Sequence, residues 1–215
     1  MKTLVAGANG QIGKQLVQLL HNSDKHTVKA MVRKEEQAEA FKQEGIETVL
    51  ADLEGSVEDI QHAASDCDAV VFTAGSGGST GSDKTLLVDL DGAIKTIEAA
   101  QQADVKRFVM VSAFQANNRE NWYEPLKAYY VAKHYADRAL IDSELNYTIV
   151  RPGGLLNEAG TGHIQVAENM TEGGSIPRED VAKTVLACLD EENTYKKSFD
   201  LLSGDQTIEE ALKGL

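Results

Sequence analysis

Thr3-Leu4-Val5-Ala6-Gly7-Ala8-Asn9-Gly10-Gln11-Ile12-Gly13 is the stretch on which the fold turns. Four residues of strand character run into three glycines spaced Gly-x-x-Gly-x-x-Gly, and a helical pattern follows at once, with Ile12, Leu16, Val17, Leu19 and Leu20 on its apolar side. Glycines at these positions let the backbone turn tightly, approach a pyrophosphate with no side chain between, and pack the helix closely on the strand. The unpaired N–H groups of the helix N-terminus then face the anion. The turn therefore predicts a phosphate cradle for a dinucleotide, formed by Gly7, Asn9, Gly10, Gln11, Ile12 and Gly13.

Outward from this motif, strand-like runs recur at residues 28–32, 46–50, 69–73, 107–111, 147–150 and 199–202, with helical patterns between them. With residues 3–6 they make about seven strands. Short, nearly continuous apolar strands alternating with helices predict an α/β chain, a doubly wound parallel sheet of Rossmann type covered on both faces. In such a sheet ligands bind at the carboxyl ends of the strands. Thr73, Ala74 and Gly75 close the fourth strand at that rim and are expected cofactor contacts. The Gly/Ser-rich residues 75–81 read as an active-site loop, because glycine lets backbone pass near a bound nucleotide. Residues 115–125 and 153–162 are the other long irregular stretches at the rim. They are expected to form the substrate pocket, with Phe114, Asn117, Asn118, Trp122, Leu155, Leu156 and His163 available to line it.

A chain of 215 residues suits one core rather than two, so a single domain over residues 1–215 is expected. The 21 Lys and Arg residues against 34 Asp and Glu give a formal net charge of −13, which repels nucleic acid and anionic membranes on average. A small-molecule substrate is the expected partner. Cys67 and Cys188 lie far apart with no cysteine or histidine cluster of metal-ligand spacing, so a reducing compartment and no metal site are expected. The N-terminus has no leader-like succession of residues and no apolar run approaches the ~18 residues of a spanning helix, which predicts a cytoplasmic protein. Two long helices on one sheet face could pair between chains in a homodimer.

Three residues suggest chemistry. Tyr129 and Lys133 are four apart in a helical pattern over residues 127–141, so they share a face one turn apart. An ammonium there favours phenolate and brings a group with an ordinary pKa of about 10 closer to acid–base work near neutrality. Ser112 follows the strand 107–111 at the crevice rim, where its hydroxyl could donate to a substrate carbonyl oxygen.

Together the glycine turn, Ser112 and Tyr129-x-x-x-Lys133 resemble the short-chain dehydrogenase/reductase superfamily over nearly the whole chain. The Gly-x-x-Gly-x-x-Gly spacing, Arg151-Pro152-Gly153 and Arg178-Glu179-Asp180-Val181-Ala182 resemble its extended and atypical branches. The short chain favours the atypical branch, in particular small bacterial NAD(P)-binding proteins of the sugar-epimerase/dehydratase-like reductase group. The resemblance implies Tyr129 as acid/base, Lys133 as the residue that lowers its pKa and binds the nicotinamide ribose, and Ser112 as the group orienting the substrate oxygen. It also places Asp52 and Leu53 beside the adenine and adds Pro152 and Gly153 to the cofactor contacts. Asp89 stands where many relatives of that family carry Asn, so the proton relay assigned to the Asn does not transfer directly.

An NAD-preferring site offers a carboxylate to the ribose 2′-hydroxyl about 20 residues beyond the glycines. Here that place holds Arg33 followed by Lys34, and a guanidinium can grip a 2′-phosphate with paired hydrogen bonds. NADP(H) is therefore expected over NAD(H). The leading expectation is an NADP(H)-dependent oxidoreductase acting on a small carbonyl or alcohol. A nucleotide-sugar epimerase or dehydratase would use the same residues, and a non-catalytic NADP(H) sensor would need only the binding half of the site.

Overall fold

In the computed structural model, which describes residues 1–78 and 80–215, the first strand β1 (Lys2–Ala6) is an interior strand, third from one edge of the sheet. Its side chains alternate between two apolar layers: Val5 belongs to one core, Leu4 and Ala6 to the other. This double burial follows from the pleat, since successive residues point to opposite faces, and it explains why the strand reads as a continuous apolar run.

From β1 the chain winds through helix α1 (Gln11–His21) to β2 (Thr27–Val32), and then through α2 (Glu35–Gln43) to β3 (Glu47–Leu50). Helix α3 (Val57–Ala64) returns it to β4 (Ala69–Phe72), on the other side of β1. The second half continues outward through α4 (Ala93–Gln102), β5 (Arg107–Val111), α5 (Lys127–Ile141) and β6 (Asn146–Pro152). Short strands β7 (Gly154–Leu156), β8 (His163–Ala167) and β9 (Ser175–Pro177) lead to α6 (Arg178–Asp190), β10 (Lys197–Ser203), β11 (Gln206–Thr207) and α7 (Ile208–Lys213).

The strand order is β11-β8-β10-β6-β5-β4-β1-β2-β3, and the seven strands from β10 to β3 are all parallel. The order reverses between β1 and β4, the switch point at which a doubly wound sheet opens a crevice for ligands. One face carries α1, α2, α6 and α7; the other carries α3, α4 and α5.

The doubly wound parallel sheet matches expectation, but the strand count does not. Among the described residues the sheet has nine strands rather than seven, because β8 and β11 add an antiparallel edge beyond β10. Strands β7 and β9 form a separate two-stranded sheet, so residues 153–162 are not wholly irregular. These additions are two to five residues long, too short to show a period in the sequence. Among the described residues no helix is long and apolar enough to cross a membrane.

Candidate functional site

The switch point is built from glycine. Gly7 ends β1 with φ +92°, and a Cβ placed on it would lie 2.5 Å from the backbone nitrogen of Ala74, at the end of β4. A Cβ on Gly13 would lie 2.1 Å from the Gly7 carbonyl oxygen, so the first turn of α1 packs directly on the glycine turn. Gly10 donates to the Gly7 carbonyl at 2.9 Å and caps α1 with no side-chain hydrogen bond. The first turn of α1 carries no acidic residue. An uncapped helix end with bare backbone around it offers N–H groups and a positive dipole to an anion, which fits a pyrophosphate.

Thr73 holds the β1 and β4 ends together: its backbone N–H donates to the Ala6 carbonyl at 2.9 Å, and its hydroxyl donates to the same oxygen at 3.2 Å. Gly75 is exposed beside it; of the loop 75–81, Ser79 lies outside the described residues. Arg33 and Lys34 sit exposed at the end of β2, and among the described residues neither forms a salt bridge. Asp52 is exposed beyond β3 with Oδ1 accepting from the Glu54 N–H, while Leu53 packs against the core next to Gly92. Pro152 is buried at the end of β6. Gly153 is needed there by packing alone, since a Cβ would fall 2.3 Å from Leu202 and 2.4 Å from the Gly174 carbonyl oxygen.

Lys133 and Tyr129 lie on adjacent turns of α5. The Lys133 side chain is 1 % exposed. Its ammonium donates to the Val111 carbonyl at 2.9 Å, at the end of β5, and lies 5.7 Å from the Phe72 ring centroid at the end of β4. Burial pushes Lys133 below the usual lysine range, against the opposing charges of Asp89 and Asp137. Tyr129 is half-buried, with its ring edge-on to Tyr130 at 6.1 Å. Burial, and then the charge of Asp89, holds its phenol well above the ordinary value. At neutral pH Tyr129 is thus a neutral phenol.

Ser112 closes β5 as expected, with its N–H donating to the Val150 carbonyl at 2.7 Å. Its hydroxyl is buried and among the described residues has no hydrogen-bond partner within bonding geometry, though it lies near enough to act on Asp137, one turn beyond Lys133 on α5. Asp137 receives Arg151 Nε at 2.9 Å, and both side chains are about 2 % exposed. Burial raises the Asp137 carboxyl, while Arg151, Ser112 and Lys133 draw it down. The sequence held a sign of this pair that went unread: Tyr129, Lys133 and Asp137 follow one another at helical spacing, so a third ionisable group shares the buried face.

Asp89 comes from an unusual element. Residues Thr85–Gly92 form a π-helix that runs directly into α4 and turns Thr85, Asp89 and Gly92 inward. Such wide turns are rare and occur often at functional sites. Asp89 is 0 % exposed; Oδ2 accepts from the Ser76 N–H at 3.0 Å, and among the described residues Oδ1 has no hydrogen-bond partner. A Cβ on Gly75 would lie 3.2 Å from that free oxygen.

The rim is held by a third buried carboxylate, which the sequence did not single out. Asp200 on β10 accepts from the Gln115 N–H at 3.1 Å, from the Gln115 side-chain amide, and from the Met170 N–H at 2.9 Å. Gln115 has φ +56°, a left-handed conformation uncommon for a residue with a Cβ. Trp122 anchors the neighbouring loop: Nε1 donates to the Ala116 carbonyl at 3.3 Å, and its ring stacks on Tyr130 at 5.9 Å. His163, paired with Thr207 at the far edge of the sheet, is not brought to Tyr129, because β10 and β6 stand between β8 and β5. A cavity of about 450 Å³ opens between β8, residues 169–175 and Leu202, and its lining includes none of Ser112, Tyr129 and Lys133.

The chain as a whole is similar to known proteins. A family model described as NAD(P)H-binding matches residues 7–192. An uncharacterized sugar epimerase of Bacillus subtilis is 62% identical over 215 residues, covering 100% of both chains. The structure of a proposed NAD-dependent epimerase/dehydratase from Bacillus halodurans is similar at 43% identity, covering 100% of both chains with a TM-score of 0.94. That of an oxidoreductase from Lactococcus lactis is 33% identical, covering 100% of this chain and 96% of that one with a TM-score of 0.90.

Proposed function

Since the chain belongs to the NAD(P)H-binding family, we propose that it is an NADP(H)-dependent oxidoreductase that acts on a small carbonyl or alcohol, with Tyr129 exchanging the substrate proton. The observation that carries this reading is the position of Lys133: its ammonium is fixed on the Val111 carbonyl of β5 at 2.9 Å, one helical turn from Tyr129 and beside the end of β4, the strand that flanks the glycine turn. When bound, the coenzyme supplies or accepts the hydride. The glycine turn and the α1 N-terminus would hold its pyrophosphate, and Arg33 with Lys34 would grip a 2′-phosphate.

The residues of the chain divide the remaining work. A neutral Tyr129 is a proton donor, so the resting state suits reduction of a carbonyl, with the phenol delivering its proton as charge develops on the substrate oxygen. Lys133 compensates the phenolate that results. The buried Asp137–Arg151 pair anchors the same helix to β6. A reducing cytoplasm agrees with both cysteines being free and buried.

The 62% identical relative named a sugar epimerase supports a second reading, in which the same residues act on a nucleotide sugar and the coenzyme is regenerated within each cycle. The test is NADPH absorbance followed with aldehydes, quinones and flavins, for the parent and Tyr129→Phe. Net oxidation that falls by at least about 100-fold in the variant supports the reductase. Equal rates in both remove Tyr129 from the mechanism. Turnover of a nucleotide sugar with no net change in NADPH favours the epimerase.

A further inference from the structure

We infer that Asp89 biases the site toward the oxidised, cationic form of the nicotinamide coenzyme. This rests on the reading that the crevice holds such a coenzyme. Asp89 is fully buried with one carboxylate oxygen unpartnered among the described residues, and that oxygen faces Gly75, just beyond the strand that flanks the glycine turn. Its other oxygen is fixed by the Ser76 N–H, so the free oxygen cannot turn away without breaking a buried hydrogen bond. Buried acceptors without partners are uncommon in folded proteins and call for an explanation.

The surrounding charges identify what the group does. Asp137 is bridged to Arg151, whereas Asp89, the larger of the two carboxylate influences on Lys133, has no cationic partner of its own among the described residues. Oxidised nicotinamide carries one positive charge more than the reduced ring. Lys133 alone would repel that charge; Asp89 offsets the repulsion and adds attraction in a crevice where water screens weakly. An Asn at the same position would keep the Ser76 hydrogen bond and lose the charge. Asp89 is on this argument a positioning residue that sets which redox form of the coenzyme the site prefers.

The test is the ratio of two dissociation constants, for NADP⁺ by calorimetry and for NADPH by fluorescence, measured on the full chain. In Asp89→Asn the affinity for NADP⁺ is expected to fall about tenfold more than that for NADPH, the size of a single-charge effect in a partly water-excluded site. Asp89→Glu, which retains the charge, should hold the parental ratio within about twofold. If Asp89→Asn fails a circular-dichroism check of folding, Asp89→Ser serves as the neutral variant. Equal changes in both affinities, or none, overturn the inference even if the site binds coenzyme well. A parent that binds neither coenzyme overturns the reading beneath it as well, and the parent alone distinguishes that case.

Discussion

Arg151 donates from Nε to Asp137 at 2.9 Å, across the interface between the last turns of α5 and the end of β6, with both side chains closed to solvent. Removing one member strands the other charge in the core. Asp137→Ala is expected to cost about 3–5 kcal/mol. That corresponds to a fall in Tm of roughly 10 °C for a chain of this size. Replacing both by apolar residues, Asp137→Leu with Arg151→Met, should cost less than either single change. Thermal melts of the three variants check this, and a double variant weaker than both singles would contradict it.

Gly7 and Gly45 both have positive φ, but only Gly7 is enclosed: a Cβ on Gly45 would meet nothing closer than 3.9 Å. Gly45→Ala should therefore cost only the left-handed strain, about 1–2 kcal/mol, and leave coenzyme affinity unchanged. Gly7→Ala must also push Ala74 away, and its affinity for NADPH should fall at least about tenfold. Titration of both variants separates the two effects.

Arg33 has no salt-bridge partner among the described residues, so its guanidinium is available to a ligand. Arg33→Asp should reverse the preference between NADPH and NADH, changing the ratio of affinities by about 100-fold as a favourable charge pair becomes a repulsive one. The same ratio in parent and variant would show that the 2′-phosphate is bound elsewhere.

Burial pushes the Cys188 thiol up to about 12 and the Cys67 thiol up to about 11, from an ordinary value of 9.0. The folded chain therefore disfavours thiolate. The stability these thiols contribute is complete below the unfolded pKa and is lost as pH rises through the folded values. Chemical denaturation between pH 8 and 11 should show stability falling above about pH 9, and Cys188→Ala should flatten that slope. Neither thiol should react with a disulfide reagent in the native protein at neutral pH.

The glycine turn was legible because its chemistry is a backbone requirement: Gly13 stands where a Cβ would strike the Gly7 carbonyl and Gly7 itself takes a positive φ, demands that are local in sequence. The seven parallel strands were legible for a related reason, since burial on both faces leaves continuous apolar runs. The edge strands β8 and β11 were not, because two to five residues with one solvated face carry no such run. In the site, the Tyr129–Lys133 spacing could be read directly. The partners that determine its charge state could not. Asp137 meets Arg151 from another element, Asp89 reaches Gly75 through a π-helix, and Asp200 gathers donors from residues 85 and 30 positions away. Such contacts depend on strand order and helix register, which a linear pattern does not encode.

The Asp200 carboxylate ties the segment after β5 and the segment before β9 to one side chain on β10. Two banks moored to a single post cannot drift independently. Without that one side chain the Gln115 N–H, the Gln115 amide and the Met170 N–H would all lose their common acceptor, so the placement of both segments depends on a single carboxylate.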